Sequence, residues 1–509
     1  MTSTQKTPLP YARDWTAWAP VCTAAVLVLF AASRLSIAAF PTEREYDEGV
    51  YLLSARALLT GHALFTQVFS SQPPAFLETL AQAMRMAGDS LWNARVLSIT
   101  FAVAALAAIA DIGRRIGGAA AGPVAACALA LSFTFVDLGH IVQAETPSLA
   151  FALLSIDVVL SARRRDWNRR LLLAAGVLYG VALMFKLLAI PLVVPLVLVA
   201  FLAAADDDEN RWRVDGRGIA LLRASALRIA WIGAGAIVVV CIPLLAFDRG
   251  ALIDQAVLFH FAKHEAYHLH SLANMERAWG VALGDGAISA AGAAALLVGA
   301  WRRPLVAAWI FAWLAASLAF LAEQTPLFWR HFVLIAPPAA LAASLLPALV
   351  IPASLRGGRL LAALVMIGAW VAMLSNNVGK GEAMFPLLHD PRNHAAASRV
   401  ETTAAWVRDH TRPEDEILTD DPILIYLAGR QTPPGLCDTS EARIVSGSLT
   451  LRDVVVQSAG VHMVVIHRKG RLLTLAGILP WLKKNFTEIS PEQSGLDSDR
   501  LIWLRSSRI

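Results

Sequence analysis

The sequence predicts a polytopic α-helical membrane protein with a C-terminal extracytoplasmic α/β domain, and three observations carry that prediction. Hydrophobic residues (AVILMFWYC) fill 57% of the 509 positions and charged residues only 16%, with a mean hydropathy of +0.55. Soluble chains carry about 25% charge and seldom stay this apolar. The apolar residues gather in runs of the length needed to cross a bilayer, about 20 residues for roughly 30 Å of hydrocarbon. From Gly379 onward these runs give way to short helix and strand patterns in alternation.

On that ruler about eleven spans are expected, near 17–39, 91–112, 117–137, 141–161, 170–186, 188–205, 225–247, 282–300, 304–321, 331–351 and 359–377. The first is too long for a signal-peptide core and lacks a convincing cleavage site, so it reads as a retained helix. The stretch 170–205 is largely apolar over 36 residues, more than one bilayer needs, and is divided around Pro191. Arginine orients the bundle. With the N-terminus cytoplasmic, the inner turns hold Arg114 and Arg115, the five arginines of SARRRDWNRR, Arg211, Arg213 and Arg217, Arg302 and Arg303, then Arg356 and Arg359. That distribution follows the positive-inside rule, and an odd number of spans places the C-terminal tail outside.

The formal charge of +5 is therefore a topology signal. No long basic tract with interleaved aromatics is present, which excludes a nucleic-acid partner. Cys22, Cys127, Cys241 and Cys437 share no motif spacing, so neither a zinc knuckle nor a disulfide framework is supported.

Two outer loops are long. In residues 41–90, VYLLSARALLTG places Val50, Leu53, Ala57 and Leu58 on one side at helical spacing. PPAFLETLAQAMRMAG does the same with Phe76, Leu80, Ala83 and Met84. Both read as helices lying in the membrane interface. The loop 248–281 carries four histidines with acids and aromatics. Residues 1–378 thus form a transmembrane module and 379–509 a small α/β domain. In the latter, helices are expected over SRVETTAAWVRDHT, DPILIYLAG, LTLRDVVVQSAG and LLTLAGILPWLKKNF, and strands over EILTD, HMVVIH and LIWLR.

The sharpest chemical feature is PTEREYDEGVYLLSARALLTG, which sets Glu43, Glu45, Asp47 and Glu48 just outside the first span. Asp47 and Glu48 abut the interfacial helix, where a carboxylate can take a proton from a hydroxyl nucleophile or hold a metal. A solvated acidic loop is the bland alternative. Glu145 opens the fourth span beside His140, either as a helix-start acid suited to the dipole or as the wall of a polar cavity. Lys186 in ALMFKLLAIP, Arg330 and His331 in TPLFWRHFVLIAPP, and Lys263, His264 and His268 of the outer loop supply cations on the same side. Each could merely snorkel to headgroups. As a set they suit a reaction that expels an anionic phosphate: cations stabilise the developing charge while a carboxylate handles the nucleophile.

At these residues the chain resembles the GT-C membrane glycosyltransferases, particularly lipid A aminoarabinose transferases and protein O-mannosyltransferases. YDEGVYLLSARALLTG is similar to that family's acidic signature and its tyrosine-containing helix. Ser71-Gln72-Pro73-Pro74-Ala75 is similar to its lysine-proline-proline element, with Gln72 where many relatives have lysine. Glu145 fits its second acid. Lys186 before Pro191 fits its helix lysine, and Arg330-His331 ahead of Pro337-Pro338 fits its basic pair.

The resemblance implies inverting transfer of a sugar from a polyprenyl-phosphate donor to a hydroxyl acceptor, at the outer face of a bacterial cytoplasmic membrane. It implies catalytic roles for Asp47, Glu48 and Glu145, and donor-phosphate binding by Lys186, Arg330, His331 and Lys263. Substrate contacts would come from Tyr46, Tyr51, Gln72 and His264. No cofactor is certain, and a divalent metal stays open. Three other readings stay open too: a lipid-linked-sugar flippase, a non-catalytic envelope assembly protein, and an oligosaccharide donor. Ionisable groups gathered at one face and the lack of an internal repeat weigh against the flippase.

Overall fold

The computed structural model describes residues 12–40, 46–204, 212–214, 218–267, 271–350, 391–468, 470–496 and 499–506. Glu43, Glu45, His268, the expected span 359–377 and the domain boundary at 378–379 lie outside them.

Among the described residues, five helices are long and apolar enough to cross a membrane: Leu91–Gly117, Glu145–Arg164, Gly218–Ala246, Pro304–Ala322 and Trp329–Leu346. A pair bent by 98°, Ser271–Gly284 with Ile288–Arg302, raises the number to six at most. The expectation of about eleven spans is corrected accordingly. The reason is that several apolar runs do not form one continuous helix. The run at 117–137 breaks at Ser132, whose extended backbone separates Ala121–Leu131 from Phe133–Leu138. The run 170–205 breaks at Lys186, where the expected spans 170–186 and 188–205 meet and ahead of Pro191. Lys186 (φ −161°, ψ 134°) ends Arg169–Phe185 before a 3-10 turn, Leu187–Leu192, and the short helix Val193–Val199. Pro191 and Pro195 lack an N–H, so no unbroken ladder could run through this segment. The first expected span falls on the helix Ala12–Leu35, whose apolar part, Ala19–Leu35, is shorter than those five.

Charge marks the two ends of the bundle. Arg115 pairs with both Asp111 and Asp157 (2.6 and 2.8 Å), joining the late turns of Leu91–Gly117 and Glu145–Arg164. The opposite ends of those helices carry Arg95 and Glu145. Arginine-rich turns and the acidic signature therefore sit at opposite ends of two helices that run in the same direction.

Of the two outer-loop helices, Ala75–Ala87 is amphipathic as expected and buries Phe76, Leu77, Leu80, Ala81 and Met84. Tyr46–Leu59 differs from a helix lying on a surface, because Glu48 to Ala55 are all buried. The C-terminal sheet domain packs over it. That domain has a four-stranded sheet of order β1-β2-β4-β3, with β1 Ile417–Thr419, β2 Met463–His467, β3 Phe486–Ile489 and β4 Arg500–Arg505. β1 and β2 are parallel, and β4 runs antiparallel to both β2 and β3. The expected helix over 472–486 shrinks to Ile478–Asn485, and Phe486 opens the edge strand β3 instead. FTEI is too short to announce itself against the helical pattern preceding it.

The sheet domain and the outer loop share one hydrophobic core, in which Leu52, Leu53, Phe76 and Leu80 pack with Ile417, Ile423, Leu424 and Val465. Gly49 permits this approach, since a Cβ there would lie 2.2 Å from the Ile423 nitrogen. Polar contacts fix the register. Arg56 donates to Asp89 (2.6 Å) and to the carbonyls of Tyr426 and Arg430 (3.2 and 3.0 Å), and its guanidinium covers the Tyr426 ring. Tyr46 receives the Thr439 N–H (2.8 Å), while Arg471 stacks on its ring at 3.9 Å.

Gly49→Ala should therefore loosen the sheet domain, with overpacking costing on the order of 1–3 kcal/mol. Gly460→Ala, whose Cβ would meet nothing within 4 Å, should be close to neutral. Thermal unfolding and limited proteolysis of the purified variants check this: a lower Tm and faster release of a C-terminal fragment for Gly49→Ala alone are expected.

Candidate active site

Asp47 and Glu48 occupy the first turn of Tyr46–Leu59. Adjacent helical residues point about 100° apart, at 3.6 residues per turn, so one sequence signature feeds two different sites. Glu48 turns to the bundle. Its Oε1 accepts from Arg95 Nε (2.8 Å) and the Val142 N–H (3.0 Å), and its Oε2 accepts from Arg95 Nη2 (2.6 Å). Arg95 also donates to the Phe40 carbonyl at 2.6 Å. Both side chains are fully buried. Glu48, expected as a catalytic acid, is instead held in a two-pronged ion pair that ties the long loop to the first turn of Leu91–Gly117.

Asp47 turns the other way and joins an alternating row of charges. Arg330 Nη2 donates to Asp47 Oδ2, and Arg330 Nε lies 3.2 Å from Glu145 Oε1. Lys186 Nζ donates to that same Glu145 oxygen at 2.6 Å. The row Lys186–Glu145–Arg330–Asp47 thus draws on four separate segments. The helix break at Lys186 serves the row by ending the helix where the ammonium meets Glu145. An uncompensated ammonium or carboxylate at such a depth would be very costly, and pairing makes these positions tenable. Exposure grades along the row: the side chains of Glu145 and Lys186 are 0% and 8% exposed, those of Arg330 and Asp47 11% and 25%. Glu145 Oε2 is buried without a hydrogen-bond partner among the described residues.

The other expected residues divide. Tyr51 is buried edge-on to Phe76 (4.8 Å between centroids) within electrostatic reach of Asp47, Glu145 and Arg330. Burial, reinforced by those carboxylates, raises its phenol well above the ordinary value, so it stays a neutral hydroxyl. Lys263, on Phe259–Tyr267, reaches the field of Lys186, Arg330 and Asp47. It donates to His260 Nδ1 (3.2 Å), and His260 Nε2 in turn donates to the Ser71 carbonyl (2.9 Å). Gln72 is buried in that turn, its amide donating to Ser71 Oγ at 3.3 Å. His331 is buried, faces Phe328, and feels Lys186, Arg330 and Lys263. His264 follows Lys263 and so projects about 100° away on its helix. Tyr46 faces the sheet domain and serves docking. Two residues escaped the sequence reading. Arg95 was legible as a lone cation opening an apolar span, whereas His260 had no feature separating it from its neighbouring histidines.

A divalent metal does not fit these side chains. No group of three or more His, Cys, Asp or Glu able to hold one occurs among the described residues. The two carboxylates of the row already share Arg330, with Lys186 and Lys263 adding positive charge.

Residues 71–247 match the family model for dolichyl-phosphate-mannose-protein mannosyltransferase. No curated protein is a significant match by sequence. Among solved structures, the chain is similar to ArnT from Cupriavidus metallidurans bound to undecaprenyl phosphate: TM-score 0.64, 15% identity, 97% of this chain and 98% of that one. The apo form of that protein gives a TM-score of 0.62 at 15% identity, over 96% and 98% of the two chains. The arabinofuranosyltransferase AftD from Mycobacteria gives 0.52 at 16% identity, over 97% of this chain but 40% of that larger one. By fold the chain therefore resembles the multi-pass membrane protein ArnT, and over residues 71–247 it matches the protein-mannosyltransferase family model.

Proposed function

We propose that the protein is an inverting glycosyltransferase that moves a sugar from a polyprenyl-phosphate donor to a hydroxyl acceptor at the extracytoplasmic face. The observation that carries this reading is the row Lys186–Glu145–Arg330–Asp47, a cationic pair interleaved with two carboxylates, on a fold whose solved relative binds a polyprenyl phosphate. The N-terminus is assigned to the cytoplasm and the sheet domain to the outside. In support, the arginine-rich turns lie at the end of the bundle opposite this row.

The chemistry follows from the order of charges. An arriving phosphate offers Arg330 a two-oxygen partner that suits its planar fork better than a single carboxylate oxygen does. Asp47, at the exposed end of the row, is the partner it replaces. Released from Arg330, Asp47 accepts the proton of the acceptor hydroxyl as that oxygen bonds to the anomeric carbon. The bond from that carbon to the phosphate oxygen breaks on the opposite face. The phosphate leaves as an anion held by Arg330, Lys186 and Lys263, and needs no proton donor. Glu145 stays behind as the counter-charge that keeps Lys186 and Arg330 in place, while Tyr51 offers a neutral hydroxyl beside them. Glu48 acts as a positioning residue through Arg95.

Asp47→Asn should purify normally yet transfer sugar at least about 100-fold more slowly, the usual effect of losing a positioned base being about 10²–10⁴-fold. Glu43→Gln should change little. Turnover of purified variants with saturating donor and acceptor decides the matter, and near-normal turnover of Asp47→Asn would move the base elsewhere.

Burial, aided by repulsion from Lys186 and Arg330, lowers the Lys263 ammonium to about 8. It is charged below that value and loses its charge as pH rises through it. The KM for donor should therefore climb by up to about tenfold between pH 7 and pH 9, as the charged fraction falls across that window. Lys263→Arg, which keeps its charge, should flatten that rise. A pH-independent KM in the wild type would remove Lys263 from the phosphate site.

A further inference from the structure

A cavity of about 680 Å³ lies between the outer-loop turn 62–69, the helical segment 254–262 and the sheet domain. No member of the charge row lines it. Its size falls within the range of about 300–1,000 Å³ typical of small-molecule sites. Phe69 and Phe259, edge to face at 5.4 Å, form an aromatic wall, and Ala262, Arg443, Ser448 and Gln457 complete much of the rest.

Arg443 is 6% exposed and stacks on the Phe69 ring at 3.9 Å. Its Nη atoms donate to the carbonyls of Gly435, Asp438 and Ser448. Its Nε is buried without a hydrogen-bond partner among the described residues. A buried guanidinium donor left unmatched is uncommon in native structures and asks for an acceptor. Asp438 and Asp453 lie within electrostatic reach of Arg443 and offset its charge, and Asp254 adds a further carboxylate to the lining, so the cavity does not select an anion. Gln67 and Gln457 bring amides that both donate and accept, beside the Ser448 hydroxyl. Matched donors and acceptors against an aromatic wall suit a ring with hydroxyls on its rim and C–H groups on its faces.

We propose that this cavity binds a neutral saccharide, the glycan part of an acceptor held apart from its reacting hydroxyl. The acceptor role, unlike the binding itself, rests on the transfer reading above. The site draws on both the outer loop and the sheet domain, so its ligand would stabilise their docking as well as being recognised by it.

The test uses full-length protein in lipid nanodiscs and saturation-transfer NMR with maltotriose, chitotriose and mannotriose, and with glucose 6-phosphate as an anionic probe. At least one neutral trisaccharide should bind. Ala262→Trp, which fills the cavity, and Gln457→Ala should each weaken that binding by about tenfold or more. Glucose 6-phosphate should bind no better than the neutral sugars. Any of three results overturns the proposal: none of the trisaccharides binds, both variants bind like the wild type, or glucose 6-phosphate is preferred. Those failures leave the transfer reading standing, because it is measured by turnover of Asp47→Asn. Normal turnover of that variant, with saccharide binding intact, would overturn only the acceptor role.

Discussion

Four charges in a row, placed where water is scarce, constrain the rest of the structure. Lys186 and Glu145 form the buried end, and neither could stay ionised there without the other. Arg330 links them to Asp47 at the exposed end. Each charge arrives on a different segment, so the row exists only if a helix break, a helix start, a 3-10 turn and the outer-loop helix converge. Because exposure rises from Glu145 to Asp47, the row meets its surroundings at the Asp47 end.

The scaffold fixes that position from behind. Glu48, one residue from Asp47, is clamped by Arg95 and the Val142 N–H, which sets the height and rotation of the Tyr46–Leu59 helix. Gly49, one residue further, admits the sheet domain through Ile423. Three consecutive residues thus face the charge row, the bundle and the sheet domain. A helix with such different neighbours on every side has no polar face, which is why it is buried rather than lying on the membrane surface.

Much of this was legible in the sequence. The membrane class followed from composition, three of four strands from β-prone runs, Glu145, Lys186 and Arg330 from charges in or beside apolar runs, and Asp47 from the acidic signature abutting the loop helix. What was not legible depended on tertiary geometry. Hydropathy reports apolar length and not helix continuity, so the break at Ser132 was invisible, as was the shortness of the helix after Lys186, and the span count came out too high. The separation of Asp47 from Glu48 needed the partners on each side. β3 is an edge strand of four residues whose pairing with β4 outweighs its local helical context. The cavity beside Arg443 joins segments almost 400 residues apart, and no local pattern announces it.

The proposed mechanism requires donor phosphate and Asp47 to compete for Arg330. Equilibrium binding of undecaprenyl phosphate to the wild type and to Asp47→Asn in nanodiscs tests this without any turnover. Removing the competing carboxylate charge should tighten binding by about tenfold, the worth of roughly 1.4 kcal/mol. Unchanged or weaker binding by Asp47→Asn, with the variant folded and Arg330→Gln binding as tightly as the wild type, would contradict it.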